Sequence, residues 1–157
     1  MTRHKKMGSA IFAALIVLVC AVCPSLADTK ILSPSQVNSD PAQFEGREIT
    51  VRGYVVLALE AHILYESKSL NDKWRAEVKA NKASFDPKAW SKYCLTIANP
   101  GLLNQNEKRF AGKTLVLKGT LLSHYLDSST IDLGACPRPT AIQIDEDDFK
   151  RRYLDSN

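Results

Sequence analysis

The chain has little of the chemistry from which enzymes are usually recognised. It holds three histidines, four cysteines and two tryptophans in 157 residues. It contains no G-x-x-x-x-G-K-[ST] phosphate loop, no G-x-G-x-x-G fingerprint and no H-E-x-x-H pair. These absences remove the commonest nucleotide- and zinc-dependent enzymes. No low-complexity linker divides the sequence. Its long apolar run, Ala10 to Cys23, has 14 residues, short of the ~20 that a spanning helix needs.

That run has the marks of an export signal. Arg3, Lys5 and Lys6 precede it, Pro24 ends it, and Ser25-Leu26-Ala27 places small residues where a signal peptidase reads them. Residues 1–27 are therefore expected to be a cleaved signal peptide, with an uncleaved anchor as the alternative. A lipoprotein would need a small residue before its lipidated cysteine, but Val19 and Val22 stand there. Cleavage would remove three basic residues and no acidic ones, so 18 basic residues face 17 acidic ones and the net charge falls from +4 to +1. The basic character that would suggest a nucleic acid or an anionic membrane thus belongs mostly to the targeting segment. The expected location is periplasmic or secreted, with no transmembrane anchor in the mature form.

Cleavage also removes Cys20 and Cys23, leaving Cys94 and Cys136. In an oxidising compartment the simplest expectation for two cysteines is one disulfide. No further ligands accompany them, so neither a metal nor a cofactor is expected.

About 130 residues then form one domain. Its clearest internal feature is a repeat. F-E-G-R-E-I-T-V-R-G-Y-V-V begins at Phe44, and F-A-G-K-T-L-V-L-K-G-T-L-L begins at Phe110, 66 residues later. Gly46 and Gly112 suit a tight turn with positive φ. Ile49 and Val51, like Leu115 and Leu117, alternate with polar residues, which is the period of a half-buried strand. Gly53 and Gly119 lie inside these strands, where a barrel bulges or coils. Further strands are expected at His62–Glu66, Tyr93–Ala98 and Thr140–Ile144, and a short helix at Leu102–Arg109. Ser33 or Ser35 caps a helical turn before Asp40-Pro41.

The expected fold is all-β with a minor helix: a five-stranded OB-like Greek-key barrel over residues 28–145, in the order β-β-β-α-β-β. A helical insertion, residues 68–92, lies between strands two and three. Residues 146–157 form a charged tail that can be helical, with Asp145 as its cap and Phe149 and Tyr153 on one face. The chain resembles a loose group of small exported bacterial proteins with OB-like domains. The resemblance rests on S-P-x-x-[LV]-N-x-[DN]-P at Ser33–Pro41, the F-x-G-[RK] strand openings, Leu64-Tyr65 and the late cysteine loop. It implies a fold and a compartment; it carries no catalytic residues.

The insertion is the candidate binding surface. It carries Lys68, Lys73, Arg75, Lys79, Lys82, Lys88 and Lys92 against Asp72, Glu77 and Asp86, interleaved with Trp74, Phe85 and Trp90. Cations among aromatics suit single-stranded nucleic acid, and equally an anionic glycan, a lipid headgroup or an acidic protein. The competing reading is structural. Leu70, Trp74 and Val78 then form an apolar stripe, and the lysines are its solvated face. The binding residues named on this basis are Trp74, Arg75, Lys79, Lys88 and Trp90.

Candidates for catalysis are thinner. Glu60 and His62 share a strand face, and Ser123 adjoins His124, but nothing marks a nucleophile. Asp145 to Asp148 lack the spacing of a calcium loop. Cys136-Pro137-Arg138-Pro139 is a rigid loop that presents Arg138. The expectation is a non-enzymatic binding or assembly module acting on an envelope protein or a polymeric ligand. An oligonucleotide- or oligosaccharide-binding role on the strand two–three face is the alternative, with export weighing against nucleic acid. A small enzyme comes third.

Overall fold

A computed structural model describes residues 30–58, 61–80, 86–126, 136 and 139–155. The signal segment, Glu60, Lys82, Phe85 and Arg138 lie outside the described residues, as does the side chain of Lys88.

Six strands form one sheet: β1 (Ile31–Leu32), β2 (Glu48–Leu57), β3 (His62–Tyr65), β4 (Cys94–Ile97), β5 (Thr114–Leu122) and β6 (Ala141–Ile144). Five of them close on themselves in the order β2-β3-β4-β6-β5, because β2 also pairs with β5. The β4–β6 pairing is parallel and the other barrel pairings are antiparallel. This is the OB-like barrel expected from the sequence, with β1 as an additional strand outside it. β1 runs parallel to β2, with Ile31 opposite Thr50. Two residues carry no periodicity, so this strand was legible only as a lead-in.

The repeat forms the spine of the barrel. Val51 and Leu117 are equivalent positions of the two copies, and they lie opposite one another in the β2–β5 ladder. The ladder therefore has local two-fold symmetry. Gly46 N–H donates to the Leu121 carbonyl and Gly112 N–H to the Val55 carbonyl, each at 2.9 Å. Both glycines adopt positive φ, 66° and 74°, so each copy opens on the same left-handed turn. Gly53 and Gly119 sit where each strand changes partner. A Cβ on Gly53 would lie 2.5 Å from Leu64 Cγ, and one on Gly119 would meet the Gln143 carbonyl. What these two positions need is room for a neighbouring strand.

Inward-facing Ile49, Val51, Val55, Leu64, Leu95, Leu117, Leu121 and Ile142 make the barrel core. Leu103 of α4 (Gly101–Gln105) and Phe110 of α5 (Glu107–Phe110) are buried in the same core. A single helix was expected there. Asn106 interrupts it: its side-chain amide donates to the Leu102 carbonyl at 2.9 Å, and its own backbone leaves helical geometry at φ −120°, ψ 30°. An amide side chain that competes for backbone partners ends helices in this way.

The lead-in helix α1 (Pro34–Ser39) has Ser33 as its cap, with both halves of a capping box formed with Gln36. Ser35 instead gives its backbone N–H to Glu66 at 3.0 Å. The tail is built into the core. Asp145 caps α6 (Glu146–Phe149), accepting from the backbone of Asp147 and Asp148. These bonds, above all that from Asp148, hold its carboxyl below the usual aspartate range. A wider π-type turn follows over Lys150–Leu154. Phe149 is buried edge-on to Phe110, with ring centroids 5.1 Å apart. The Tyr153 hydroxyl both donates to the Val116 carbonyl and accepts from its N–H, at 3.1 and 3.0 Å. The tail thereby covers a strand edge that β6 does not reach.

A second apolar layer lies outside the barrel. Ile63, Tyr65, Cys94 and Cys136 are buried together, with Tyr54, Val56, Ala61 and Trp74 packed against them. Cys94 and Cys136 are joined, with sulfurs 2.01 Å apart and a sequence separation of 42. Thr96, 4% exposed, lies on the same side of β4 as Cys94, and its hydroxyl has no hydrogen-bond partner. A buried hydroxyl without a partner pays for desolvation and gains nothing. Thr96→Val keeps the shape and the β-branch. It is expected to leave stability unchanged or to raise it by up to about 1 kcal/mol. A clear fall in the urea midpoint would show that the hydroxyl does have a partner in solution.

Candidate functional site

The insertion leaves the barrel after Tyr65 and re-enters at Cys94, and these two residues are paired across β3 and β4. It contains α2 (Lys68–Lys79) and α3 (Pro87–Ser91). Ser67 caps α2, accepting from Leu70 N–H at 3.2 Å. Lys68 and Asp72 form an i,i+4 pair at 2.6 Å.

Leu70 and Trp74 of the expected apolar stripe face inward, and Val78 does not. Asn71 is buried and Leu70, Trp74 and Glu77 are half-buried, whereas Val78 is 48% exposed. Steps of four residues advance about 400° on a helix with 3.6 residues per turn. Val78 nevertheless falls between Trp74 and Asn71 in angle, so its exposure comes from its place in the last turn of α2, beside the Ala80 cap. The polar Asn71 and Glu77 complete the inner face instead.

Both tryptophans are engaged with the protein. Trp74 packs against the outer layer of β3 and β4. Trp90 donates its indole N–H to Glu77 at 3.0 Å and meets Tyr93 edge-on, with centroids 6.4 Å apart. Lys92 Nζ lies 4.8 Å from the Tyr93 ring centroid. Below Trp74, burial pushes the Tyr65 hydroxyl pKa up to about 12, with the Arg75 charge opposing it. Tyr65 is therefore neutral at physiological pH.

The outward side of α2 shows Lys73, Arg75, Val78 and Lys79, all exposed. The acids of the helix are occupied, Asp72 by Lys68 and Glu77 by Trp90. Trp74, Arg75, Ala76, Val78 and Lys79 line an open depression of about 380 Å3. Of the five residues named from the sequence, Trp74 and Trp90 thus hold the insertion to the barrel and to itself, while Arg75 and Lys79 face outward. Lys88 is placed on α3 by its backbone alone.

Asn38 is a key residue that the sequence did not single out. It is buried, donates toward the Ser91, Lys92 and Cys94 carbonyls, and accepts from the Thr140 hydroxyl at 2.7 Å. It ties α1 to the end of the insertion and to the start of β6. The available signal was its place in the Ser33–Pro41 lead-in motif.

Of the catalytic candidates, Glu60 lies outside the described residues. His62 Nε2 lies 3.1 Å from Asn104 Nδ2. Ser123 bonds Glu45 through both its side chain and its backbone N–H, and these bonds draw the Glu45 carboxyl below its usual range. This makes a clip between two turns, with the serine oriented by a carboxylate and not by an imidazole. Among the described residues no group of three His, Cys, Asp or Glu side chains is arranged to hold a metal, and no helix is long and apolar enough to cross a membrane.

No protein-family model, curated protein or solved structure matches the chain.

Proposed function

We propose that this protein is an exported, non-enzymatic binding or assembly module of the bacterial envelope, and that it engages its partner through the outward side of α2. The observation that carries this reading is the covered outer face of β3 and β4. Five-stranded barrels of this kind take ligands on that face and its flanking loops. Here Trp74 and the disulfide-bonded Cys136 occupy it, so the accessible surface next to it belongs to the insertion. With Asp72 paired to Lys68, the cations Lys73, Arg75 and Lys79 outnumber the one remaining carboxylate of α2, Glu77. The disulfide and the N-terminal signal pattern support an oxidising compartment.

In-cell photo-crosslinking tests the reading. A benzophenone amino acid at Lys73 or Lys79 is expected to give one discrete adduct in the envelope fraction, while the same probe at Lys108 on α5 gives none. Absence of an adduct from both α2 positions, or the same adducts from all three, would sink the proposal.

A further inference from the structure

We infer that the occupant of this α2 surface is an acidic protein segment carrying at least one aliphatic side chain, in preference to a lipid surface or a nucleic acid. The inference rests on the α2 reading above and specifies its partner. The first support is charge complementarity. Lys73, Arg75 and Lys79 fall within seven positions of one helix, and all three are exposed. Among the described residues Lys73 and Lys79 have no ion pair, and α2 carries four cations against two carboxylates, one of them paired with Lys68.

The second support is the shape of the apolar surface beside Arg75 and Lys79. Val78 is one exposed aliphatic group beside an open depression that also has Ala76 and an edge of Trp74 in its wall. An aliphatic side chain flanked by carboxylates would sit in it against Val78. An anionic membrane asks for something else. A helix lying on lipid presents a broad apolar face with cations at its margins, but on α2 Leu70 and Trp74 are turned toward the barrel.

The third support concerns nucleic acid, which would need free aromatic platforms for its bases. Trp74 is packed against the outer layer and Trp90 is held by Glu77 and Tyr93. The phosphates would meet charge, and the bases would find no free ring on this helix.

The test uses the purified exported protein and three probes: a fluorescein-labelled peptide of Glu-Glu-Leu repeats, vesicles of phosphatidylglycerol and phosphatidylcholine, and an oligothymidylate. The peptide is expected to bind, and to weaken as salt rises. The combined variant Lys73→Glu, Arg75→Glu and Lys79→Glu is expected to lose roughly tenfold or more in affinity, since each exposed ion pair adds a small increment. Val78→Asp is expected to weaken the peptide further than salt alone does. All four positions are exposed, so an unchanged thermal midpoint will confirm that the variants fold.

Vesicle binding that depends on the three cations, without peptide binding, would overturn the inference in favour of a membrane. Oligothymidylate binding with quenched tryptophan emission would overturn it in favour of nucleic acid. Binding of no probe, or peptide binding untouched by the triple reversal, would also overturn it. A discrete crosslink from Lys73 or Lys79 that persists under any of those results would leave the module reading standing and remove only the partner class.

Discussion

Replacing Cys94 and Cys136 together by alanine is expected to cost about 4 kcal/mol of stability, the cost of releasing a closed loop of 42 residues in the unfolded chain. Alanine is the informative substitution, because both positions are buried and serine would add a desolvated hydroxyl. The native consequences are local. Cys94 belongs to β4, and Cys136 is drawn from the long connection between β5 and β6 onto the outer face of β3 and β4. A domain of this size has a total stability of about 5–15 kcal/mol, so the variant would be near the edge of folding. Urea denaturation of the double variant checks the value, and Cys94→Ala alone should lose nearly as much. A loss below about 1 kcal/mol would mean that the unfolded chain is already compact around this loop.

The barrel was legible because its physics is local and repeated. Two copies of F-x-G-[RK] followed by alternating Ile, Leu and Val residues specify a turn and a half-buried strand twice. Their 66-residue offset also equals the separation of Val51 and Leu117, which face one another at the centre of the ladder. The outer layer was less legible, although a signal was present. His62–Tyr65 and Cys94–Ile97 are nearly continuous apolar runs, the pattern of strands covered on both sides. A simple barrel with one wet face does not need that. Two such strands require a cover, and Trp74 of the neighbouring insertion supplies part of it.

The candidate site was legible as composition more than as geometry. Seven cations among three aromatics mark residues 68–92 in the sequence. Composition cannot say which side chains a helix turns inward. Glu77 decides the fate of Trp90 by accepting its indole proton, and a polar residue, Asn71, fills the buried side of α2. Arg75 and Lys79 point away from that buried side, and Val78 is exposed in the last turn of the helix. Partners such as Glu77 and Trp90 are 13 residues apart, and no periodicity connects them.

Asn38→Ala is expected to cost about 3 kcal/mol, because it orphans groups belonging to three other segments at once. Asn38 is 4% exposed. Its amide faces the Cys94, Lys92 and Ser91 carbonyls at 2.7, 3.1 and 3.4 Å, and its oxygen accepts from Thr140 Oγ1 at 2.7 Å. Each buried group left without a partner costs about 1–3 kcal/mol, and an alanine-sized gap admits little to replace the amide. Asn38→Asp is expected to do at least as much damage. A carboxylate there accepts only, and it would face carbonyl oxygens where the amide now donates. Thr140→Val removes one acceptor–donor pair and should cost about 1 kcal/mol. The double variant Asn38→Ala with Thr140→Val is then expected to cost less than the sum of the single changes, since the threonine hydroxyl orphaned by the first change is absent in the second. A coupling of about 0.5–3 kcal/mol from denaturant melts is the expected signature of the contact. Strict additivity would place the Asn38 contribution with the insertion carbonyls alone. A loss below about 1 kcal/mol for Asn38→Ala would mean that water reaches those carbonyls in solution, and that the insertion is held to the barrel by Trp74 and the disulfide without help from α1.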